Sequence, residues 1–230
     1  MLPHAGLGLG GNWSRDTLGY HELAQFLASR SYGVLQPNYR GTPGTNWMFL
    51  EADQWDLVKM PDDVTRATKA ALKTNLFDPA RVAIMGHQFG AYLALSGGVH
   101  EPDLYRCVVG MDGRYDMVEV MRELRYRLHS SGPVNRVNYK LGEPGENREK
   151  FRLMSPVNFF DQMKASMLVT EGRDNPTLHR RESRRLISAL NKADVPPDSI
   201  FTEREGGGEF GLENRLEVMA KVGAFLGKNL

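Results

Sequence analysis

Residues Arg81-Val82-Ala83-Ile84-Met85-Gly86-His87-Gln88-Phe89-Gly90-Ala91-Tyr92-Leu93-Ala94-Leu95 decide the fold class. Val82 to Met85 are apolar and read as a buried strand, Gly86 and Gly90 bracket a tight turn, and the alanine- and leucine-rich segment that follows reads as a helix. A strand that runs through a glycine-flanked turn into a helix is the setting of a nucleophile elbow. Such a turn lifts one side chain above the C-terminal edge of a parallel sheet, and the helix N-terminus faces the negative charge that develops beside it. The chemistry of that position needs serine, cysteine or aspartate. Gln88 stands there instead, a neutral amide with no proton to lose near neutral pH.

The same alternation of strand and helix continues on both sides. Strands are expected at 33–36, 81–85, 107–111, 167–171 and 199–203. Between them, Leu18, Leu23, Phe26 and Leu27 mark one helix face. Val64, Ala67, Ala71 and Leu72 mark a second, opened by Pro61 and Asp62, and Leu186, Ile187 and Leu190 mark a third. A last helix from about Glu213 presents Leu216, Met219, Val222, Phe225 and Leu226. This order predicts an α/β fold, a mostly parallel sheet with helices on both faces. Met1-Leu2-Pro3-His4 is too short for a buried strand, so the sheet is expected to be shortened on its N-terminal side.

Length and composition narrow the function classes. The 230 residues, 41% of them hydrophobic, suffice for one domain over residues 1–230. Lys and Arg number 29 against 28 Asp and Glu, with no long block of one sign, so no nucleic-acid partner is expected. No apolar run approaches the roughly 20 residues that cross a bilayer, and no leader pattern opens the chain, so no membrane contact and a cytoplasmic location are expected. Cys107 is the only cysteine and lies in an apolar run, where it reads as a small core residue; with no CxxC or Cys/His cluster, no metal and no cofactor are expected.

Six segments in their order and spacing resemble a known family. Arg15-Asp16-Thr17-Leu18-Gly19-Tyr20, Pro37-Asn38-Tyr39-Arg40-Gly41-Thr42, Asp62-Asp63-Val64, Asp78-Pro79-Ala80-Arg81-Val82, Asp103-Leu104-Tyr105-Arg106-Cys107 and Ser155-Pro156-Val157-Asn158 are similar to acylaminoacyl-peptidase-like members of the prolyl oligopeptidase family of serine peptidases. The resemblance covers nearly the whole chain and implies an α/β-hydrolase catalytic domain. In the family that domain follows a β-propeller that screens substrates by size; no propeller sequence is present here, so a domain without one is expected.

Carried over residue by residue, the family's triad is lost at each position. Gln88 takes the place of the serine. The acid, three residues after a glycine beyond the next strand, falls on Asn175 in Gly172-Arg173-Asp174-Asn175, with Asp174 one residue early. The histidine of a Gly-His-Gly-Phe stretch falls on Gly208 in Gly207-Gly208-Glu209-Phe210, ahead of Glu213-Asn214-Arg215. The oxyanion loop, usually His-Gly-Gly-Pro, is His4-Ala5-Gly6-Leu7, lengthened by the glycine-rich stretch to Asn12, and the Phe89 N–H is the second donor the resemblance implies. Losing the serine or histidine of such a triad costs on the order of 10⁶ in kcat.

The resemblance therefore implies a hydrolase fold without hydrolase chemistry, its cleft open to a peptide-like ligand or a protein partner. The alternatives are an active serine-type peptidase or esterase using other residues, and a structural or oligomer-forming remnant; the oligomeric state is not legible. Asp174 and Glu209, each one residue from a lost position, could act as substitute carboxylates only if they converge. His87 reads as a packing or hydrogen-bonding residue. Gly6, Gly8, Gly10 and Gly11 imitate a dinucleotide loop but lack the preceding strand, and read as a widened oxyanion loop; Gly206, Gly207 and Gly208 read as a loop. Arg180, Arg181, Arg184 and Arg185 read as a solvated helix face, with an anion or partner site as the alternative.

Overall fold

Four short apolar runs pair side by side in chain order. The computed structural model describes residues 1–5, 21–42, 56–128, 141–172, 180–195, 197–202 and 211–230. Within them β1 (Ala83–His87), β2 (Cys107–Met111), β3 (Ser166–Gly172) and β4 (Asp198–Thr202) form one parallel sheet in the order β1-β2-β3-β4. Ala83 lies opposite Cys107, Cys107 opposite Ser166, and Leu168 opposite Asp198. These strands match the expected ones to within two residues at either end.

The expected strand at 33–36 is extended but joins no regular ladder. Between it and β1 runs the start of the chain, which the sequence had marked as too short. The Met1 amine donates to Ala83 O at 2.8 Å, the Met85 N–H to Met1 O at 3.0 Å, and the Leu2 N–H to Leu35 O at 2.8 Å. Two residues suffice because each bonds to extended chain on one side, and Leu2 is 1% exposed as a result.

Side chains alternate across the sheet with period two. Ile84, Val108, Met167 and Val169 point into one core, and Met85, Cys107, Val109 and Leu168 into the other. Over the first face lie α2 (Lys59–Leu72), α3 (Phe89–His100), α4 (Met117–Leu128), α5 (Arg148–Leu153), a 3₁₀ turn (Pro156–Gln162) and α6 (Arg180–Lys192). Over the second lie α1 (His21–Ala28), burying Leu23 and Leu27, and α7 (Leu212–Asn229). Leu18 falls outside the described residues. The apolar segment after the turn makes α3 central and buried from Gly90 to Val99.

Two helix faces differ from their sequence reading. Helix α2 starts at Lys59, before Pro61, and buries Met60, Val64, Thr65 and Thr68, while Ala67, Ala71 and Leu72 are half-buried. The threonine enters the core because Thr68 Oγ1 donates to Val64 O and pairs with Tyr105 OH, each at 2.9 Å. In α7 the buried stripe is Val218, Val222, Phe225 and Leu226, and Leu216 is 57% exposed. That stripe faces β2 and β3 at i, i+4, i+7 and i+8, and Leu216 lies off it.

Candidate active site

At the junction of β1 and α3 the backbone turns within one residue. Gln88 has φ 50° and ψ −112°, a sparsely populated conformation for a residue with a side chain. Two glycines permit it: a Cβ on Gly86 would stand 2.2 Å from the Gly90 carbonyl carbon, so strand and helix touch backbone to backbone. The turn is anchored by the Gln88 N–H, which donates to Met111 O on β2 at 2.8 Å, and by the Gln88 carbonyl, which accepts from Ala91 and Tyr92. As the first residues of α3, Phe89 and Gly90 have no intrahelical acceptor for their N–H groups. Gln88 thus stands at the strand-to-helix turn with helix N–H donors beside it.

His4 is held in place by its surroundings. It is 2% exposed, stacks on Tyr39 with ring centroids 4.4 Å apart, and sets Nε2 3.0 Å from Thr42 Oγ1. The Thr42 hydroxyl donates to Tyr39 O at 2.6 Å, so its oxygen accepts the His4 Nε2–H. Tyr39 donates to the His4 carbonyl at 3.1 Å, and its ring leads through Phe89 to Tyr92. An aromatic row therefore connects His4 to the elbow. Ala5 is half-buried, and Gly6 lies outside the described residues.

Burial pushes the His4 imidazole down to about 4, from 6.5 when unfolded. The unfolded chain takes up the proton near 6.5 and the folded chain only near 4, so this contribution to stability is full above pH 6.5 and is lost as pH falls toward 4. The expected loss is about 3 kcal/mol. Urea unfolding at pH 7.5 and pH 4.5 should show the fall, and His4→Asn should reduce the difference between the two pH values; an undiminished difference would rule His4 out as its source.

A carboxylate that the sequence reading passed over ties the site together. Asp112 follows β2 with φ 49° and is buried. Its N–H donates to Thr170 O at 2.9 Å, its Oδ1 accepts the Gly172 N–H at 3.0 Å, and its Oδ2 stands 3.4 Å from His87 Nε2. One side chain thus joins the ends of β1, β2 and β3. Buried Glu171 lies at the end of β3, and the Tyr115 phenol is raised well above its usual range, by burial first and then by the Glu171 and Asp112 carboxylates. The available signal was a carboxylate followed by glycine at the end of two apolar strands, Asp112-Gly113 and Glu171-Gly172. Asp112→Ala should cost about 2–4 kcal/mol because the Gly172 N–H loses its acceptor, and Asp112→Asn distinctly less. Equal denaturation midpoints for the two variants would refute the clamp.

The remaining candidates separate cleanly. Cys107 is fully buried in β2, and burial pushes its thiol up to about 12, which leaves it inert. Arg184 and Arg185 are exposed on α6, with Arg185 2.6 Å from Glu119. The side chains of Arg180 and Arg181, and all of Asp174, Asn175, Gly208 and Glu209, lie outside the described residues, as do the glycine loops at 6–11 and 206–208. Among the described residues no group of three or more His, Cys, Asp or Glu could hold a metal ion, and no helix is long and apolar enough to cross a membrane.

Comparison with known proteins settles the lineage. The profile of the prolyl oligopeptidase family matches residues 19–230. The chain belongs to the prolyl oligopeptidase family. It is 30% identical over 224 residues to dipeptidyl aminopeptidase BIII of Pseudoxanthomonas mexicana, and 26% identical over 221 residues to dipeptidyl peptidase family member 6 of Caenorhabditis elegans. These alignments take in 96% and 94% of the chain but 32% and 30% of the relatives, so the chain spans about a third of their length. The crystal structure of Porphyromonas gingivalis dipeptidyl peptidase 4 superimposes with a TM-score of 0.80 at 20% identity, covering 100% of this chain and 31% of that one. A Mycobacterium tuberculosis puromycin-hydrolyzing peptidase gives 0.83 at 21% identity, covering 99% and 34%. The α/β-hydrolase fold expected from the sequence is thereby established for this member of the prolyl oligopeptidase family.

Proposed function

We propose that this chain is a non-catalytic prolyl oligopeptidase-family domain, a pseudo-hydrolase whose cleft above the C-terminal ends of the strands holds a peptide-like ligand or a protein partner, in the cytoplasm and without cofactor or metal. One observation carries the reading: the residue in the elbow conformation, at φ 50°, is Gln88. An amide has no proton to give up and no charge to develop as a nucleophile, so the turn retains a conformation costing on the order of 1–3 kcal/mol without the attack it serves elsewhere. The assignment of Asn175 and Gly208 to the acid and base positions supports the same reading from sequence. Similarity to dipeptidyl peptidases supports a peptide-like occupant.

A second reading, activity through other residues, has one observation in its favour. His87 and Asp112 form an imidazole–carboxylate pair at 3.4 Å, one residue from the elbow. The two readings part on product formation. With short peptides, free and N-acylated, the melting temperature should rise while chromatography finds the peptides intact, and Gln88→Trp, which fills the cleft, should abolish the rise; saturation at 100 times Kd would add about 2.7 kcal/mol of stability. Peptide cleavage that disappears in His87→Ala would replace the first reading by the second.

A further inference from the structure

Outside the elbow, α4, α5 and α6 enclose a groove made of two cavities, about 640 Å³ and about 510 Å³, that share Asp116 and Asn158 as a common wall. Neither cavity is lined by Gln88 or Phe89. Arg122, Arg125, Arg148 and Arg152 line the first. Arg184, Arg185 and Lys192 line the second. The described lining of the groove thus holds seven cations against two acids, Asp116 and Glu119, whereas the chain as a whole carries a net charge of only +1.

The acids within it are already engaged. Asp116 Oδ1 accepts the N–H groups of Val118 at 3.0 Å and Glu119 at 3.3 Å at the start of α4. Glu119 pairs with Arg122 at 2.7 Å and Arg185 at 2.6 Å; although partial burial acts to raise its carboxyl, these two arginines hold it below the usual value. Arg125 pairs with Glu143, and Arg152 with Glu149 at 2.7 Å. Among the described residues, Arg148, Arg184 and Lys192 carry no ion pair. Exposed pairs of this kind are worth little, so an arginine exchanges a glutamate of the chain for a carboxylate of a ligand at small cost. The guanidinium fork matches a carboxylate in either case.

We propose that this groove binds an acidic peptide segment, with carboxylates on Arg148 and Arg184 and backbone N–H groups directed at Asp116 and Asn158. Two cavities joined at Asp116 and Asn158 suit an extended chain better than a single anion. A nucleic acid fits less well: its phosphates bring acceptors only to a wall that holds Asp116 and Glu119, and Tyr115, the one aromatic residue among the described residues of the lining, is buried and offers no face for base stacking. The inference does not depend on the reading of the elbow.

Anisotropy of fluorescein-labelled oligoglutamate, with the unaltered protein at low salt, tests it. Binding should weaken as salt rises, and Arg148→Ala/Arg184→Ala should weaken it about tenfold. Arg148→Gln/Arg184→Gln, which keeps the side-chain length, should weaken it similarly at an unchanged melting temperature. Labelled oligolysine should not bind. Absence of oligoglutamate binding at low salt, or binding equal in all variants, would overturn the proposal. So would inorganic phosphate binding that depends on both arginines without any oligoglutamate binding, which would mark a simple anion site. Single-stranded DNA that binds more tightly than oligoglutamate and is lost in the same variants would overturn the assignment to a peptide.

Discussion

Gln88→Ser, Asn175→Asp and Gly208→His, combined in one chain, are expected to give a weak esterase whose activity needs all three changes. Acyl transfer through serine requires a base to take the hydroxyl proton, an acid to orient that base, and donors for the oxyanion. Of these donors, the resemblance assigns one to the Phe89 N–H at the start of α3, where the turn is fixed by the Gln88 N–H bond to Met111 O, and the other to the segment that begins at His4. Small esters suffice as substrates because little binding energy is needed. The elongated segment after His4 sets the expected level low, since a displacement of about 1 Å in the site costs on the order of a hundredfold. Gln88→Ser alone should remain silent, with removal of one triad member costing on the order of 10⁶. Hydrolysis of a nitrophenyl ester is the measurement. A folded triple variant that neither turns over the ester nor reacts with a fluorophosphonate would show that the positions are misassigned or the oxyanion loop is broken. A single variant, Gln88→Ser, that turns over and is silenced by His87→Ala would show His87 and Asp112 to be a working base.

Gly86→Ala is expected to be the most damaging single methyl group among the described glycines. Its Cβ would lie 2.2 Å from the Gly90 carbonyl carbon, 2.3 Å from the Gly90 oxygen and 2.8 Å from the Ala91 nitrogen. All three are backbone atoms at the junction of β1 with α3, the buried helix against which both neighbouring strands pack, so no side chain can swing away. Overpacking of a core typically costs about 1–3 kcal/mol, and a clash that only backbone movement relieves belongs at or above the top of that range. Gly227→Ala provides the contrast, because a Cβ there meets nothing within 4 Å and α7 gains the helix preference of alanine, about 0.8–1 kcal/mol. Urea unfolding should move in opposite directions for the two. A fully stable Gly86→Ala protein would mean that strand and helix do not meet as described.

The parts of the fold legible in the sequence are those where composition varies sharply along the chain. Ile84, Met85, Val108, Val109 and Leu168 lie in runs too apolar for an exposed segment, and the glycines at 86 and 90 mark a turn where a strand must pass straight into a helix. The Met1-Leu2 segment was not legible, because its place depends on hydrogen bonds to Ala83, Met85 and Leu35 that are distant in sequence. The threonine side of α2 was missed for a related reason. Periodicity registers polarity, whereas Thr68 is buried by a hydrogen bond to Tyr105 that no local pattern announces. In the site, the substitution at Gln88 could be read from one residue, but the partners of the clamp at Asp112 could not, since they come from two other strands, His87 from β1 and Thr170 and Gly172 from β3.

The measurement that bears most directly on the central claim is fluorophosphonate labelling of the unaltered protein beside an active family member, read by mass spectrometry and paired with nitrophenyl ester turnover. Gln88 at the elbow predicts no covalent adduct and no turnover above the rate in buffer, while the active relative is labelled to completion. An adduct on any serine of this chain, with turnover that the label abolishes, would contradict the account.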